Sequence, residues 1–580
     1  MKANKRTRFS PSNCPLPPLP KTLSESDPRE QTSSEDGRQG KLDKNRQHQQ
    51  QQGVVEKEAM EKFEEEDSLN EEGEEADVED EVDGGMELEY GSGSADGGDD
   101  QDQEGSQLEE EDADAEHMSY LNNFVAEVME DKRSPDGVED GLAILRGTDP
   151  NAAEDFFQWL ILPLTTARFH EQFWEKRPFL IRRPRNRNLY EGWFEKEDIE
   201  TLFEKETLRY GLNVDVTKYK DGARANFSTE SAAKASQVWK KFAKGWSVRI
   251  LHPQRWSNSV FLLLSAFERY WGCQAGCNAY LTPAKSQGFS PHYDDIEAFV
   301  LQTEGKKRWR CYAPRGVDGV LPRFSSPDFS QEEIGEPILD EILEAGDLLY
   351  MPKGTIHQAE ATSDIHSLHI TVSVGQRNTW ADYLELAIPR ALELAWEDHL
   401  ILREALPRDF ASYMGVVHSE KDDPRRAAFL ERVILCMDRL VKSGPWDSAV
   451  DQMAVKFLQA RLPLPSASSS SKTKSEPQTV ALNSKVRLVA PNVARFVLED
   501  ESVALYHMLN NSRSSHNEAT ASSSPDSSLQ FPLHFAPALE EVVLAYPTPV
   551  LVSSLPIETK SSALELVTQL VEAGVLVVVE

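Results

Sequence analysis

The spacing of hydrophobic and polar residues divides this 580-residue chain into segments of different character. Residues 1–150 are polar, first Gln-rich and then rich in Asp, Glu and Gly, so they cannot bury enough apolar surface to offset the entropy of ordering. We predict a disordered, acidic low-complexity tail there. Apolar residues recur at helical spacing from about Ala153, and between Asn278 and Val374 short apolar runs alternate with turn residues, which predicts a series of strands.

The segment 367–374 shows strand character most clearly, because apolar and polar side chains alternate along it. The two faces consist of Leu368, Ile370, Val372 and Val374 on the apolar side, and of His369, Thr371 and Ser373 on the polar side. A strand whose polar side chains point inward suits a barrel with a ligand-holding lumen. Together with its neighbours it predicts a double-sheet jelly roll, or double-stranded β-helix, within an α+β protein.

The other segments complete the predicted α+β organisation. We expect the jelly-roll domain to occupy residues 151–379 and a helical region to occupy 380–463, with Pro389 kinking or breaking its first helix. A Ser- and Lys-rich stretch predicts a flexible linker at 464–479. Helical segments followed by strands predict a winged-helix-like unit at 480–580.

Charge is distributed unevenly along the chain. The sequence has 62 basic and 98 acidic residues, for a net charge of -36. Residues 51–120 hold 29 acidic and 2 basic residues, which leaves only -9 for the rest. The net negative charge of the chain therefore comes mainly from the tail. Such a run is usually solvated, although it could also bind basic partners such as histones or ribosomal proteins.

Composition also restricts the environment. The start of the chain lacks the apolar core of a signal peptide, and no apolar run approaches about 18 residues, so we expect no membrane span. Five cysteines imply no disulfide framework, which favours a reducing compartment, and Cys273 and Cys277 lack the second pair of a zinc set. Residues 5–8 (Lys-Arg-Thr-Arg) form a weak nuclear-import signal.

The final unit has no stripe of basic residues, and a polar stretch interrupts its pattern of helices and strands. Without such a stripe, direct binding of nucleic acid is not expected. Within the unit, residues 510–528 are rich in Ser and Asn and predict a disordered loop.

A split set of metal-ligating residues carries the chemistry. Chance alone gives roughly two His-x-Asp/Glu triplets in a chain this acidic, and three occur, at His292, His418 and His516. Only His292-Tyr-Asp294 lies among predicted strands, where residues two apart share a face. His357 follows a predicted strand and turn, and His366 and His369 compete with it as the second imidazole ligand. Two imidazoles and one carboxylate can hold one face of an octahedral Fe(II) and leave positions open for a co-substrate and dioxygen.

Neighbouring polar residues strengthen this interpretation. Lys306 and Lys307 begin a predicted strand, so one of them should point into the lumen. A buried ammonium needs an anion, and a dicarboxylate co-substrate supplies one. Asn278 and Tyr280 share one face of an earlier strand, where they could hydrogen-bond the co-substrate or a peptide.

Four sequence blocks carry a family resemblance. QGFSPHYDDIEAFVLQ at 287–302, GDLLYMP at 346–352, HQAE at 357–360 and QRNTW at 376–380 resemble the JmjC-type ribosomal oxygenases. More narrowly, they are similar to the nucleolar subfamily of bifunctional lysine-specific demethylases and histidyl hydroxylases. The resemblance covers roughly residues 155–580.

The resemblance implies roles for individual residues. Fe(II) would be held by His292, Asp294 and His357. Lys307, rather than Lys306, would hold the C5 carboxylate of 2-oxoglutarate. The other implied contacts are Asn278, Tyr280 and Thr371 for the cofactor pocket, and Arg249, Tyr280, Asp328 and Ser373 for the substrate.

The implied function is that of an Fe(II)- and 2-oxoglutarate-dependent oxygenase, with O2 as the other co-substrate, that hydroxylates a histidine side chain of a ribosomal protein. The same site could instead demethylate a lysine of histone H3. A hypothesis of a different class is a non-catalytic scaffold that binds chromatin or ribosomal proteins. The resemblance further implies a homodimer formed through the helical region, and residence in the nucleus, both nucleolus and nucleoplasm.

Overall fold

A computed structural model describes most of the chain beyond the acidic tail. The described residues are 118–134, 140–145, 149–362, 364–465, 479–499, 501–517 and 528–579. The predicted tail up to residue 117, with its basic cluster, lies outside them. So do residues 466–478 of the predicted linker and residues 518–527 of the predicted loop. No helix in the described part is long and apolar enough to cross a membrane.

The centre of the structure is a nine-stranded mixed sheet. Its strands, in chain order, are β1 (Glu127–Glu130), β2 (Phe179–Arg182), β3 (Val214–Lys220), β4 (Ala223–Phe227), β5 (Ser247–Leu251), β6 (Gly276–Thr282), β7 (Glu297–Glu304), β10 (Leu348–Met351) and β12 (Ser367–Val374). Their spatial order is β1-β2-β10-β7-β12-β6-β5-β3-β4. All pairs are antiparallel except β1 with β2.

A second, three-stranded sheet faces the first one and completes the predicted jelly roll. Its order is β11-β8-β9, and its strands are β8 (Lys306–Tyr312), β9 (Leu339–Glu344) and β11 (Ile356–Glu360). A small apolar cluster fills the space between the two sheets; it includes Val300, Trp309, Leu349 and Met351. This cluster forms the floor of the lumen.

Helices cover the outer face of the large sheet. They are α1 (Gly141–Ile144), α2 (Ala152–Ile161), α3 (Thr166–Gln172), α4 (Lys196–Lys205), α5 (Ala235–Ala243) and α6 (Asn258–Trp271). The short helix α7 (Gln331–Ile334) instead packs Ile334 against Tyr312 and Ile356 of the three-stranded sheet. The Ser257 hydroxyl accepts the Val260 N–H at the start of α6, and Gly272 at φ 65° ends the helix. Below these helices lies the main core, which contains the apolar side of β12. The predicted alternation is therefore correct, and the apolar face is buried by helices.

Ordered structure begins earlier than the predicted boundary at residue 150. Strand β1 pairs in parallel with β2, and Phe124 just before it is 1% exposed. After the strand, Asp131 is fully buried and accepts from Arg133 and Arg183. One short strand and one buried ion pair order this segment. The high overall polarity of residues 1–150 had hidden both features in the sequence.

The helical region consists of α8 (Trp380–Asp398), α9 (Pro424–Ser443) and α10 (Trp446–Ala460). A reciprocal capping box between Thr379 and Asp382 begins α8. Of the expected kink or break at Pro389, the break does not occur, since α8 runs through this residue. Pro389 lies on the exposed side, where water can satisfy the carbonyl group that the missing N–H leaves behind.

The C-terminal unit has its own core and two small sheets. Its elements are β13 (Lys485–Leu488), β14 (Ala494–Leu498), β15 (Ser502–His507), β16 (Ser528–Pro532), α11 (Ala536–Ala545), β17 (Val550–Leu551), α12 (Lys560–Glu572) and β18 (Leu576–Val579). The sheet orders are β17-β13-β18 and β14-β15-β16. The predicted helices and final strand are present. Part of the predicted loop, residues 511–517, packs against the jelly roll.

Candidate functional site

Three predicted ligands, from two distant parts of the chain, meet at one end of the lumen. The backbone N–H of His357 donates to the His292 carbonyl at 2.8 Å, and the His292 N–H donates back to the His357 carbonyl at 3.2 Å. One ligand atom from each of His292, Asp294 and His357 lies within 4.8 Å of the other two. Among the described residues this is the only group of three or more such side chains close enough to share a metal ion.

The turn before β11 requires a glycine. The Gly354 N–H donates to the carbonyl of Asp294 at 3.0 Å, which ties the turn to the metal-ligating segment. Gly354 has φ of 87°, and a Cβ there would lie 2.2 Å from the carbonyl oxygen of Gly319. The conformation of this turn sets the direction in which His357 leaves it.

Hydrogen bonds orient both imidazole rings. His292 Nδ1 lies 2.8 Å from the carbonyl oxygen of Ser290, and His357 Nδ1 lies 3.0 Å from that of Thr355. Since a carbonyl accepts only, each Nδ1 carries the proton and each Nε2 keeps its lone pair for a metal. Burial, together with the neighbouring His292, lowers the pKa of His357 to about 4. Two imidazoles beside the Asp294 carboxylate fit an Fe(II) ion.

A cavity of about 590 Å³ opens from these ligands. Most of the predicted pocket residues line it: Arg249, Asn278, Tyr280, Lys307, Thr371 and Ser373. Thr371 lies directly opposite Asn278, and His369 directly opposite Tyr280, on the paired strands β12 and β6. Asp328 is the exception. It is not part of the lining, and its carboxylate lies 3.6 Å from the Arg224 guanidinium on a more exposed surface.

The two adjacent lysines point in opposite directions, as the strand period predicts. Lys306 is exposed and pairs with Glu344, whereas Lys307 is 4% exposed. The Lys307 ammonium group donates to the Thr282 hydroxyl at 2.9 Å, and no carboxylate pairs with it in the part of the chain that the structure describes. Burial lowers the pKa of Lys307 to about 7. An anion in the cavity would restore its charge.

Arg249 forms part of the cavity wall, held by three neighbours. Its guanidinium pairs with Asp215 and lies 5.3 Å from the centre of the Phe289 ring. Burial lowers its pKa, but Tyr280 and Asp215 outweigh burial and raise it. Tyr280 in turn stacks on His369, with ring centres 4.8 Å apart and planes 6° from parallel. Burial raises the pKa of Tyr280, so its phenol stays neutral.

Some lining residues had escaped the sequence analysis. His252, Gln274 and Asn517 also border the cavity. Asn517 belongs to the C-terminal unit, and the segment around it had been predicted to be disordered. The one local signal was His516-x-Glu518, which was discounted because it lacks a strand context. His369, on the predicted polar face of its strand, also lines the cavity, whereas His366 pairs with Glu304.

Comparisons with known proteins agree with this architecture. Residues 249–383 match the model of the JmjC domain, and residues 463–580 match that of the C-terminal winged helix domain of ribosomal oxygenase 1. The chain is 41% identical over 443 residues to "Ribosomal oxygenase 1" of Danio rerio, covering 74% of this chain and 80% of the relative.

Two further similarities concern an animal relative and a solved structure. "Bifunctional lysine-specific demethylase and histidyl-hydroxylase NO66" of Branchiostoma floridae is 40% identical over 441 residues, covering 74% of this chain and 68% of the relative. The structure of YcfD, a ribosomal oxygenase from Escherichia coli in complex with cobalt and 2-oxoglutarate, aligns with a TM-score of 0.37 and 18% identity. That alignment covers 72% of this chain and 99% of the other. By the identity and coverage of its sequence relatives, this chain belongs to the ribosomal oxygenase family, a family of JmjC-type 2-oxoglutarate-dependent oxygenases.

Proposed function

We propose that this protein is an Fe(II)- and 2-oxoglutarate-dependent oxygenase that hydroxylates a histidine side chain of a ribosomal protein. The observation that carries the proposal is the convergence of His292, Asp294 and His357 with the buried Lys307 on one cavity. Relatives at about 40% identity bear the names ribosomal oxygenase and histidyl-hydroxylase.

His292, Asp294 and His357 would hold the iron through two Nε2 atoms and one carboxylate. When bound, Fe(II) with 2-oxoglutarate supplies the activation of O2 that converts a C–H bond to C–OH, with succinate and carbon dioxide as the other products. The carbonyl groups of Ser290 and Thr355 keep the ring protons on Nδ1 and the lone pairs on the metal side. The side chains are thereby positioned before any ligand binds.

Lys307 would bind the far carboxylate of 2-oxoglutarate. Its ammonium group lies in a buried position with the Thr282 hydroxyl beside it, and an anion there would gain a charge-assisted hydrogen bond. Asn278 and Thr371, opposite each other on β6 and β12, offer further hydrogen bonds to the same molecule. Tyr280 contributes a neutral phenol next to them.

Arg249, Tyr280 and Ser373 would contact the polypeptide substrate within the cavity. Arg249 is fixed by Asp215 and Phe289, so little side-chain entropy is lost when it binds a peptide. Asp328 lies outside the cavity, and its contact with substrate would involve a part of the peptide farther from the oxidised residue.

Lysine demethylation is the second candidate function. The name of the Branchiostoma floridae relative includes it, and oxidation of an N-methyl group uses the same chemistry at the same site. The N-hydroxymethyl product then releases formaldehyde and leaves the demethylated lysine. The alternative substrate would be a methylated lysine of histone H3. A non-catalytic scaffold remains the alternative of a different class.

Coupled decarboxylation tests the proposal. Full-length protein with Fe(II), ascorbate and 2-oxoglutarate is given either a histidine-containing ribosomal-protein peptide or a trimethyl-lysine histone H3 peptide. We expect succinate together with a peptide that has gained one oxygen atom. Loss of a methylene mass from the histone peptide would favour demethylation instead.

Variants complete this test. His292→Ala should abolish succinate formation, whereas His418→Ala, which alters a matching triplet outside the cavity lining, should not. A wild-type protein that forms no succinate with either peptide, and does not differ from His292→Ala, would support the scaffold.

The helical region supports a homodimer. Helix α8 exposes apolar side chains at every fourth position, and α9 exposes a second set: Trp380, Leu384, Ile388, Leu392 and Trp396, and Leu430, Val433, Ile434, Met437 and Val441. Apolar surface on this scale is typical of a protein interface. A second copy of the chain is the occupant we propose, because two copies related by a twofold axis would cover the same apolar face on each other.

Membership in this family also favours a nuclear protein found in nucleolus and nucleoplasm. Fluorescence imaging of the tagged full-length chain beside a nucleolar marker tests this location. A uniform cytoplasmic signal would contradict it.

A further inference from the structure

The C-terminal unit reaches into the catalytic cavity. Asn517, which follows β15 in the chain, borders the same cavity as the metal ligands. Its side-chain N–H donates to the carbonyl of Ala275 at 3.1 Å, and its carbonyl oxygen accepts from the side-chain amide of Gln274. Residues 274 and 275 lead directly into β6, the strand that carries Asn278 and Tyr280.

The preceding residue anchors this segment deep in the jelly-roll domain. His516 is 2% exposed, and its Nδ1 and Nε2 lie 2.9 Å from the Gln254 amide nitrogen and from the Glu268 carboxylate respectively. Since the amide nitrogen only donates, Nδ1 accepts and Nε2–H donates to Glu268. The carbonyl of His516 accepts from the Arg255 guanidinium at 2.8 Å.

A second residue makes the anchor firmer. The Arg513 guanidinium donates to the carbonyl of Gln254 and to the Asn258 side chain, and it lies 4.8 Å from the centre of the Phe261 ring. The segment 511–517 is therefore held against the jelly-roll domain by hydrogen bonds at Arg513 and at His516. Asn517 reaches the cavity from a rigid base.

His252 borders the cavity on the jelly-roll side. It has φ of 57° and ψ of 49°, a left-handed conformation that is uncommon for non-glycine residues. Its N–H donates to the carbonyl of Cys277, while its Nδ1 atom is buried and has no hydrogen-bond partner among the described residues. Burial, with Arg255 and His516 nearby, lowers the pKa of His252 to about 4, so the ring is neutral.

We propose that His252, Gln274 and Asn517 form a binding subsite for the main chain of the polypeptide substrate, built jointly by the jelly-roll domain and the C-terminal unit. The subsite rests on the proposed function. A neutral imidazole and two side-chain amides match peptide N–H and C=O groups and offer no charge to a carboxylate or phosphate. Cavities of this size usually hold ligands much larger than 2-oxoglutarate, which leaves room for peptide.

The subsite gives the C-terminal unit a role in substrate binding. Asn517 acts by direct contact with the peptide, and His516 is a positioning residue that holds it. The chemistry at the metal needs neither of them. Substrate affinity and co-substrate turnover should therefore respond differently to changes here.

Steady-state kinetics of the full-length chain test this separation. In Asn517→Ala and in His252→Asn, which keeps a residue tolerant of the left-handed conformation, the KM for the ribosomal or histone peptide should rise about fivefold, the effect of losing one hydrogen bond. The KM for the peptide should rise by a clearly larger factor than the KM for 2-oxoglutarate, because the subsite contacts the peptide. Ser514→Ala, an exposed position in the same segment, serves as the matched control.

Equal peptide KM values in both variants and the control would overturn the subsite and leave the proposed function intact. A wild-type chain that forms no succinate would instead remove the proposed function. In that case fluorescence anisotropy of the labelled peptides decides: weaker binding by Asn517→Ala than by Ser514→Ala supports the subsite, and equal or absent binding overturns it. Thermal unfolding of each variant verifies that it is folded.

Discussion

His292 and His357 exchange backbone hydrogen bonds in both directions, although 65 residues separate them in the chain. This single antiparallel bridge sets the separation of the two imidazoles, whose ring centres are 4.6 Å apart. The metal ligands are thus fixed by main-chain geometry, and side-chain hydrogen bonds only orient the rings. Changes to the backbone near this bridge should damage metal binding even where no ligand is altered.

Gly354→Ala provides such a change. The new Cβ would meet the Gly319 carbonyl at 2.2 Å and would force a left-handed conformation on alanine. We expect a loss of about 1–3 kcal/mol in the free energy of unfolding, and weaker Fe(II) binding. Denaturant titration and a metal titration under anaerobic conditions measure the two effects. Gly192→Ala, at a positive φ but with open space around it, should cost about 1 kcal/mol and leave metal affinity unchanged.

Lys307→Met should weaken 2-oxoglutarate binding selectively. It removes the buried ammonium group while approximately preserving the volume of the side chain, and we expect the KM for 2-oxoglutarate to rise about 10- to 100-fold. Initial rates of succinate formation measure this change. Lys306→Met, on the outer face of the same strand, should leave the KM within about twofold. Equal effects of the two substitutions would contradict the role assigned to Lys307.

The affinity for 2-oxoglutarate should also depend on pH. Burial lowers the pKa of Lys307 to about 7, so below this pH the ammonium is already present, and above it binding must take up a proton. The dissociation constant should therefore rise with pH above about 7, by up to about tenfold per unit. Isothermal titration of 2-oxoglutarate into the iron-loaded protein between pH 6 and 9 measures this constant. A flat profile in the wild type would contradict this titration.

Glu268 ties two parts of the chain together. One carboxylate oxygen accepts from His516, and the other accepts from the backbone N–H of Leu462 at 2.8 Å. Glu268→Ala should lower the free energy of unfolding by about 3 kcal/mol, because it leaves two buried donors without an acceptor. Chemical denaturation measures the loss. Glu540→Ala, on the exposed side of α11, should change stability by less than about 0.5 kcal/mol.

Ile434→Asp should dissociate the proposed dimer. The side chain is 67% exposed on α9, and an aspartate there would place charge in the centre of the apolar face. Light scattering after size exclusion should give a dimer mass for the wild type and a monomer mass for the variant. Leu544→Asp, 74% exposed on α11, should remain a dimer. A monomeric wild type would refute the proposed dimer.

Local patterns predicted the parts of the site that lie on regular strands. The alternation in 367–374 distinguished the lumen face, and the period of two required that only one of Lys306 and Lys307 point inward, while the family resemblance selected Lys307. Where the deciding interactions are long-range, sequence offered no guide. His516 looked like part of a polar loop, and only its buried contacts with Glu268 and Gln254, some 250 residues earlier, explain its position.

Residues whose surroundings depend on tertiary packing were also hard to predict. His252 carries no motif, since its left-handed backbone and buried ring nitrogen follow from the packing of β5 against β6. Asp328 lies beside Arg224 and outside the cavity, a result that no spacing rule could supply. By contrast, the winged-helix-like unit was predicted from ordinary helix and strand patterns, because its core is local.

The short strand β1 has a consequence for any shortened form of this protein. It is the edge strand at one end of the nine-stranded sheet, and it covers the hydrogen-bonding edge of β2. A truncation at residue 150 would leave that edge open, next to the fully buried Phe179, Leu180 and Ile181. Open edges of this kind recruit strands from other molecules. The few residues between the acidic tail and the first long helix therefore act as a guard against aggregation.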